Sequence, residues 1–415
     1  MANEKSFLVG IKLQSEDLQE AQSSFEELTQ LAYTAGASIF GHAFQNIKKI
    51  DPKYFIGFGK AQEISEEIKM NPVDLVIIDH DISPSQQNHL EELLGVKVLD
   101  RTGLILDIFA KRAKSREGKL QVELAQLSYL YPRLRGHGVL MSRLGGGIGT
   151  RGPGEMKLEV DRRKIRDRIT YLKREIFSLK ETRTMHRQKR QKVPIPIVAI
   201  VGYTNAGKST LLNQLTHASV LAEDKLFATL DPTTRHLYLP GHQKILVTDT
   251  VGFIKRLPVQ LVDAFKATLE EVVEADLLLH VIDLSHPDFE KQQEEVRSIL
   301  DSLEVSRKPT LHVYNKIDKV SNLRTLFLKH ERLHPFVTIS AIQKENFDSL
   351  LEKISSFLSG FVTLIDIRIP IEDQKVLSQI HADGKVFDLK YYRWSIRVKA
   401  QVSQKMAEQL KKKYS

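Results

Sequence analysis

The stretch Gly202-Tyr203-Thr204-Asn205-Ala206-Gly207-Lys208-Ser209-Thr210 fits G-x-x-x-x-G-K-[ST], and no other part of the chain constrains its fold as tightly. That pattern works only between a strand and a helix. Both flanks are present. Residues 195–201 read Ile-Pro-Ile-Val-Ala-Ile-Val, a short apolar run suited to a buried parallel strand. Residues 210–217 read as the start of a helix. Gly202 and Gly207 let backbone N–H groups close around phosphate oxygens. Lys208 puts a cation on the β- and γ-phosphates, and the Ser209 hydroxyl is of the kind that ligates Mg²⁺. The expected architecture here is a P-loop α/β domain with a mostly parallel sheet.

Three further motifs follow in order. Residues 244–248 form an expected strand leading into Asp249-Thr250-Val251-Gly252. The aspartate suits the Mg²⁺ shell, and the glycine N–H suits a γ-phosphate sensor. Residues 309–314 form another, ending in Asn315-Lys316-Ile317-Asp318. In this N-K-x-D pattern the aspartate accepts hydrogen bonds from the guanine N1–H and 2-amino group, which adenine cannot supply. Residues 337–339 then lead to Ser340-Ala341-Ile342, placed to close over the base. The order specifies GTP and GDP, since an ATPase would leave Asp318 unexplained. Between the first two motifs lies Phe227-Ala228-Thr229-Leu230-Asp231-Pro232-Thr233-Thr234-Arg235. A switch threonine should coordinate Mg²⁺ there, but spacing does not choose among the three. Phe253 stands where Ras-type GTPases carry a water-orienting glutamine. Phenylalanine cannot do that, so intrinsic hydrolysis should be slow and should rise when a partner orders the switches.

At 415 residues there is room for two to four domains. Residues 1–115 alternate strand-like and helix-like runs, the pattern of a small α/β domain with a mostly parallel sheet. Ser83-Pro84 suits a helix start. Gly57-Phe58-Gly59-Lys60 precedes another and lacks full P-loop spacing, so a plain turn and helix start is favoured over an anion site. Residues 116–193 differ. Leu120, Leu124, Leu127, Tyr131 and Leu134 recur at 4-3-4-3 spacing, as do Ile165, Ile169, Leu172, Ile176 and Leu179. Each set makes a coiled-coil seam, and the two helices should pack as an antiparallel hairpin. Their loop, residues 136–154, has 8 glycines among 19 residues and is interleaved with His137, Arg143 and Arg151. Residues 194–360 make the nucleotide domain. Residues 361–415 make a small α+β domain to which no chemistry is assigned.

Charge sharpens this division. The net charge is +9, yet residues 157–192 carry 14 Lys/Arg against 5 Asp/Glu, and residues 111–151 carry 9 against 2. The excess of basic charge is confined to the hairpin, which points to RNA, with the arginine-studded glycine loop as the inserting tip. There is no cysteine, so disulfides and thiolate metal sites are excluded. No run approaches 18 apolar residues, so no membrane span is expected and the chain should be cytoplasmic.

GYTNAGKST, FATLDPTTR, DTVGF and NKID, with the upstream RGxG…GGGxGTRGPGE segment, resemble the HflX GTPases over nearly the whole chain. The resemblance implies that Ser209 and Thr229 are the Mg²⁺ ligands, that Lys208 and Thr229 serve catalysis, and that Phe227, Ala228, Leu230 and Asp231 lie along the nucleotide. It also implies a partner, the 50S subunit and its rRNA, with action in ribosome splitting, rescue or biogenesis by a chain that is monomeric off the ribosome. The family more often has a small or basic residue where Phe58 stands. Two rivals remain: an rRNA-binding assembly factor gated by nucleotide, which Phe253 favours, and an RNA-remodelling ATPase in the N-terminal domain, for which no second P-loop speaks.

Overall fold

A computed structural model describes residues 4–134, 153–190, 195–216, 226–227, 229–240, 243–256, 269–323 and 334–414. The glycine-rich tip, residues 135–152, and Ala228 lie outside them. The chain falls into two compact units: Met1–Lys180 with Lys225–Phe227 and Lys255–Lys266, and the remainder.

In the first unit, β1 (Lys5–Leu13), β2 (Ser38–Ile47), β3 (Leu75–Ile78) and β4 (Lys97–Asp100) form an all-parallel sheet in the order β2-β1-β3-β4. Helices α1 (Leu18–Ala35), α2 (Phe58–Met70), α3 (Pro84–Leu94) and α4 (Arg101–Arg112) link them. Phe7, Val9 and Ile11 of β1 pack with Ile64 and Ile68 of α2 and Leu90 of α3. Leu8 between them is also buried, so β1 is covered on both faces, as parallel strands are. Ser83 caps α3 through a reciprocal box with Gln86, and Pro84 opens the first turn. Gly57 is the N-cap of α2, so Gly57-Phe58-Gly59-Lys60 is a helix start.

Helix α5 (Arg116–Arg133) and α6 (Pro153–Arg190) form the antiparallel pair. Arg116 bonds Glu175 at 2.9 Å, Glu123 bonds Arg168 at 2.7 Å, and Tyr131 bonds Arg166 at 3.1 Å. The expected seam needs correction on α5. Leu120, Leu124, Leu127, Tyr131 and Leu134 are only half-buried, whereas Val122, Ala125 and Tyr129 are buried. The cause is a second partner. Asp100, which caps α4, accepts from Tyr129 Oη at 2.7 Å and from Arg133 at 2.8 Å. These bonds turn a neighbouring stripe of α5 onto the α/β domain and leave the leucines along its edge. Pro153 and Gly154, assigned to the loop by sequence, lie in α6.

In the second unit, β5 (Ile197–Gly202), β6 (Thr233–Tyr238), β7 (Lys244–Asp249), β8 (Leu277–Asp283), β9 (Thr310–Asn315) and β10 (Phe336–Thr338) make a sheet in the order β10-β9-β8-β5-β7-β6. All neighbours are parallel except β6 and β7. Helices α7 (Lys208–Thr216), α8 (Glu270–Glu274), α9 (Phe289–Ser302) and α10 (Phe347–Phe357) accompany it. Val198 and Ile200 of β5, at the sheet's centre, are wholly buried, and their strand ends in the P-loop. After α10 come β11 (Val362–Pro370), α11 (Gln374–Asp383), β12 (Lys385–Tyr391), β13 (Ser395–Ser403) and α12 (Gln404–Tyr414). The three strands form an antiparallel sheet in the order β11-β13-β12. α11 was not foreseen from sequence; it lies between the expected strand and the Gly384 turn. Among the described residues, no helix is long and apolar enough to cross a membrane.

Candidate functional site

The site gathers at the carboxyl ends of β5, β7 and β9, where parallel strands leave a crevice for ligands. Gly202 ends β5 at φ 150°, and a Cβ there would stand 2.2 Å from the Val281 carbonyl oxygen of β8. Gly207 has φ 95°, and its Cβ would stand 2.3 Å from Asn315 Nδ2. Only glycine fits either place. Asn315 uses this closeness. Its Nδ2 donates to the Ala206 carbonyl at 2.8 Å, and its Oδ1 accepts from Ala341 N–H at 2.9 Å. One side chain thus joins the P-loop to the Ser340-Ala341-Ile342 loop. A second tie comes from Phe253, which donates from N–H to Gly202 O at 3.1 Å and accepts from Thr204 N–H at 2.7 Å. Its side chain is buried, and so is far from any role in orienting water.

Three oxygens converge below the P-loop. Ser209 Oγ donates to Asp249 Oδ2 at 2.6 Å, Thr229 Oγ1 donates to the same oxygen at 2.9 Å, and the two hydroxyls are 2.9 Å apart. Spacing left three threonines open, and the family resemblance implied Thr229. Thr234 is paired instead with Thr248 at 2.9 Å, and Thr233 lies in β6 opposite Asp249. Only Thr229 shares the cluster with Ser209. Asp249 Oδ1 is buried with no hydrogen-bond partner. Burial raises the Asp249 carboxyl above the ordinary range, with Lys208 and the two hydroxyls opposing it. An all-oxygen set of two hydroxyls and a carboxylate, with one buried carboxylate oxygen lacking a hydrogen-bond partner, fits a hard divalent cation.

Lys208 is buried, and its Nζ donates to the Tyr203 carbonyl at 2.7 Å. Desolvation lowers its pKa to about 8, against the attraction of Asp249. Gly252 lies so close that an added Cβ would meet Lys208 Nζ at 2.8 Å. Thr250 donates to Ile200 O at 2.7 Å, and Val251 is buried. In Asp249-Thr250-Val251-Gly252, the ends therefore face the site and the middle anchors it.

At the other end, Asp318 is exposed, with Oδ1 accepting from Ser340 Oγ at 2.6 Å. Asn205 and Lys316 both adopt positive φ, 60° and 64°. Lys316 Nζ pairs with Asp283 Oδ2 at 2.6 Å. Sequence reasoning missed Asp283, although its register opposite Asn315 in the β8–β9 pair follows once the strands are aligned. Ile317 is buried, while Ile342 is 64% exposed.

Two short segments next to these motifs belong to the first unit. Phe227, grouped with the nucleotide by sequence, has its ring buried against Phe109 at 4.5 Å between centroids. Leu230 is buried, and Asp231 is half-buried. Lys255 and Arg256 follow Phe253-Ile254. Lys255 Nζ donates to Ser23 Oγ at 3.1 Å. Arg256, at φ 52°, donates to the Asp79 carbonyl at 3.0 Å and pairs with Glu16. Asp79 also pairs with the buried Arg101 at 2.7 Å. No sequence signal marked Arg256.

Comparison with known proteins gives a consistent answer. Family models match along the chain: "GTP-binding GTPase N-terminal" at residues 22–110, "GTP-binding GTPase Middle Region" at 112–190, "50S ribosome-binding GTPase" at 197–316 and "HflX C-terminal domain" at 325–415. A protein named GTPase HflX from Caldanaerobacter subterraneus is 47% identical over 98% of this chain and 93% of its own length. The GTPase HflX of Escherichia coli is 42% identical over 92% of this chain and 89% of its own. A GTP-binding protein of Sulfolobus solfataricus, solved with GDP, is 27% identical, covering 86% of this chain and 99% of that one at a TM-score of 0.46.

Proposed function

The chain belongs to the HflX family of GTPases, and from that premise we propose that it is a Mg²⁺-dependent GTPase acting on the 50S ribosomal subunit, in splitting, rescue or biogenesis of ribosomes. The observation that carries the chemistry is the convergence of Ser209, Thr229 and Asp249 beside a buried Lys208. Those three residues would hold Mg²⁺, which when bound neutralises charge on the phosphate oxygens. Lys208 and the backbone N–H groups of Asn205 to Ser209 bind the phosphates and stabilise charge that develops as the γ-phosphoryl moves to water. The backbone N–H of Gly252 faces the same group. Asp318 accepts from guanine, with Ser340 holding its carboxylate in place, and Ala341 and Ile342 lie over the base. Thr229 is the switch residue that responds to the nucleotide state.

The ribosomal part rests on the family description matched at residues 197–316 and on the basic α5–α6 hairpin. GTP stabilises the bound form and hydrolysis favours release of a monomeric, cytoplasmic protein. Phe253 is buried and tied to the P-loop backbone, so catalysis depends on a partner ordering the switches. Single-turnover GTP hydrolysis with and without 50S subunits tests this; equal rates would sink it. That outcome, with 50S binding retained, would favour the second reading, a nucleotide-gated rRNA-binding assembly factor.

A further inference from the structure

The C-terminal sheet has one covered face and one open face. Ile365 and Ile369 of β11 and Ile396 and Val398 of β13 pack with Ile380 of α11 and Leu410 of α12. The alternate residues point the other way. There Arg368, Arg397 and Lys390 stand abreast on the three strands, since Arg368 pairs with Arg397 and Arg397 with Lys390 in the register. The next row is Asp366, Lys399 and Asp388. At about 4.8 Å between strands, the three cations span about 10 Å. Arg397 is forked onto Asp366 at 2.8 and 2.6 Å and Lys390 stands 3.7 Å from Asp388, so the two acids hold part of the row in place; the cations on the face still outnumber them.

Aromatic rings border it. The β12–β13 turn carries Tyr392, 44% exposed, and Trp394, 74% exposed and the sole tryptophan of the chain. Arg368 lies over the Tyr392 ring at 5.3 Å and Arg393 over Trp394 at 5.5 Å. Large exposed rings also cost solubility without adding to the core. The face and turn together carry five cations, Arg368, Lys390, Arg393, Arg397 and Lys399, against Asp366 and Asp388, a net +3.

We propose that this open sheet face, with Arg368, Lys390, Arg397 and the Tyr392–Trp394 turn, is a binding surface for single-stranded RNA. Cations in a row take phosphates, and exposed rings take bases that are not already stacked, as in a loop or bulge. A duplex offers no such bases. A second copy of this chain would set one cation row against another. The choice of RNA over DNA rests on the ribosomal function proposed above; the site itself rests on charge and exposure.

The test uses the full chain and a fluorescein-labelled 12-nucleotide RNA without secondary structure, read by anisotropy across a salt series and by ultraviolet crosslinking with peptide mapping. Crosslinks should fall within residues 387–399. Trp394→Ala should weaken binding at least fivefold, and Trp394→Phe should restore most of it. Lys390→Ala should lower the slope of log affinity on log salt by about 0.7. Both variants should keep the thermal midpoint and GTP hydrolysis of the parent, which separates lost binding from misfolding. Crosslinks confined to the α5–α6 hairpin, with both variants binding like the parent, overturn the proposal. Equal binding of the same sequence as DNA overturns the choice of RNA. Trp394-dependent binding of anionic lipid vesicles with no RNA crosslink at the turn would make the face a membrane contact and overturn it too. Hydrolysis stimulated by 50S subunits is read separately, so the ribosomal function can fail while these crosslinks stand, and the reverse.

Discussion

Gly252→Ala is the sharpest probe of how the switch loop meets the P-loop. An added Cβ would stand 2.8 Å from Lys208 Nζ, 2.8 Å from Thr204 Cα and 2.8 Å from Thr204 Cγ2. Ordinary contact starts at 3.4 Å, so the loop must retreat by 3.4 − 2.8 = 0.6 Å. Lys208 can swing, but Thr204 Cα is backbone and cannot. The retreat acts directly on the bond from Thr204 N–H to Phe253 O, now 2.7 Å, and on that from Phe253 N–H to Gly202 O, now 3.1 Å. Each such bond contributes about 1 kcal/mol, and overpacking of this kind costs about 1–3 kcal/mol. Chemical denaturation should therefore show a loss of about 1–3 kcal/mol. Because Gly252 borders Lys208, the γ-phosphate should feel the shift and the β-phosphate much less. Fluorescent-nucleotide titration should show GTP affinity falling about tenfold or more with GDP affinity nearly unchanged, the tenfold corresponding to about 1.4 kcal/mol. Gly59→Ala is the control, since a Cβ there meets nothing within 4 Å and alanine favours the helix by about 1 kcal/mol. A Gly252→Ala protein with parental stability and an unchanged ratio of GTP to GDP affinity would refute the reasoning.

Asp318→Asn replaces an acceptor pair by a side chain that cannot take both guanine donors. Two charge-assisted bonds at about 1.5–3 kcal/mol each imply at least a hundredfold loss of GTP affinity, with xanthine nucleotide bound better than by the parent; calorimetry with both nucleotides checks it. Lys208 titrates near 8 in the free protein, below the lysine reference, so raising the pH removes the cation that phosphate needs. Nucleotide affinity should weaken about fourfold from pH 7 to pH 8.5, and a flat profile would mean that the lysine keeps its proton. The sign for stability is opposite: the folded pKa is depressed, so the penalty of burying the cation is full below 8 and fades as pH rises toward the unfolded value. Arg256→Ala leaves Glu16 without its guanidinium partner. It should destabilise the protein by about 1–3 kcal/mol, and a double-mutant cycle with Glu16→Gln should give a coupling above about 0.5 kcal/mol; additive effects would dismiss the pair.

Much of this protein is written locally. Gly202, Gly207 and Lys208 imply their own loop because only those residue types suit it, and the strand before them follows from its apolar run. The α/β alternation of the first hundred residues and the basic composition of the hairpin are likewise properties of short segments, and the parallel sheet agrees with them. The motifs are legible for the same reason: a phosphate or a guanine sets its demands within a few residues. The placement of Thr229 over Thr233 and Thr234 was implied by the family resemblance but not legible in the spacing, because it depends on where β6 begins and which hydroxyl reaches Asp249. Nor was the buried stripe of α5. A 4-3-4-3 pattern reports that a helix has an apolar side, and Tyr129 and Arg133 reached for Asp100 one stripe over. The Lys316–Asp283 pair, the Arg256 anchor and the cation row of the C-terminal sheet join residues that only pairing brings together. Sequence determined which chemistry the chain carries, since each motif encodes its own geometry. Tertiary structure decided which side chains share a site, since register and packing act between segments that carry no mark of one another.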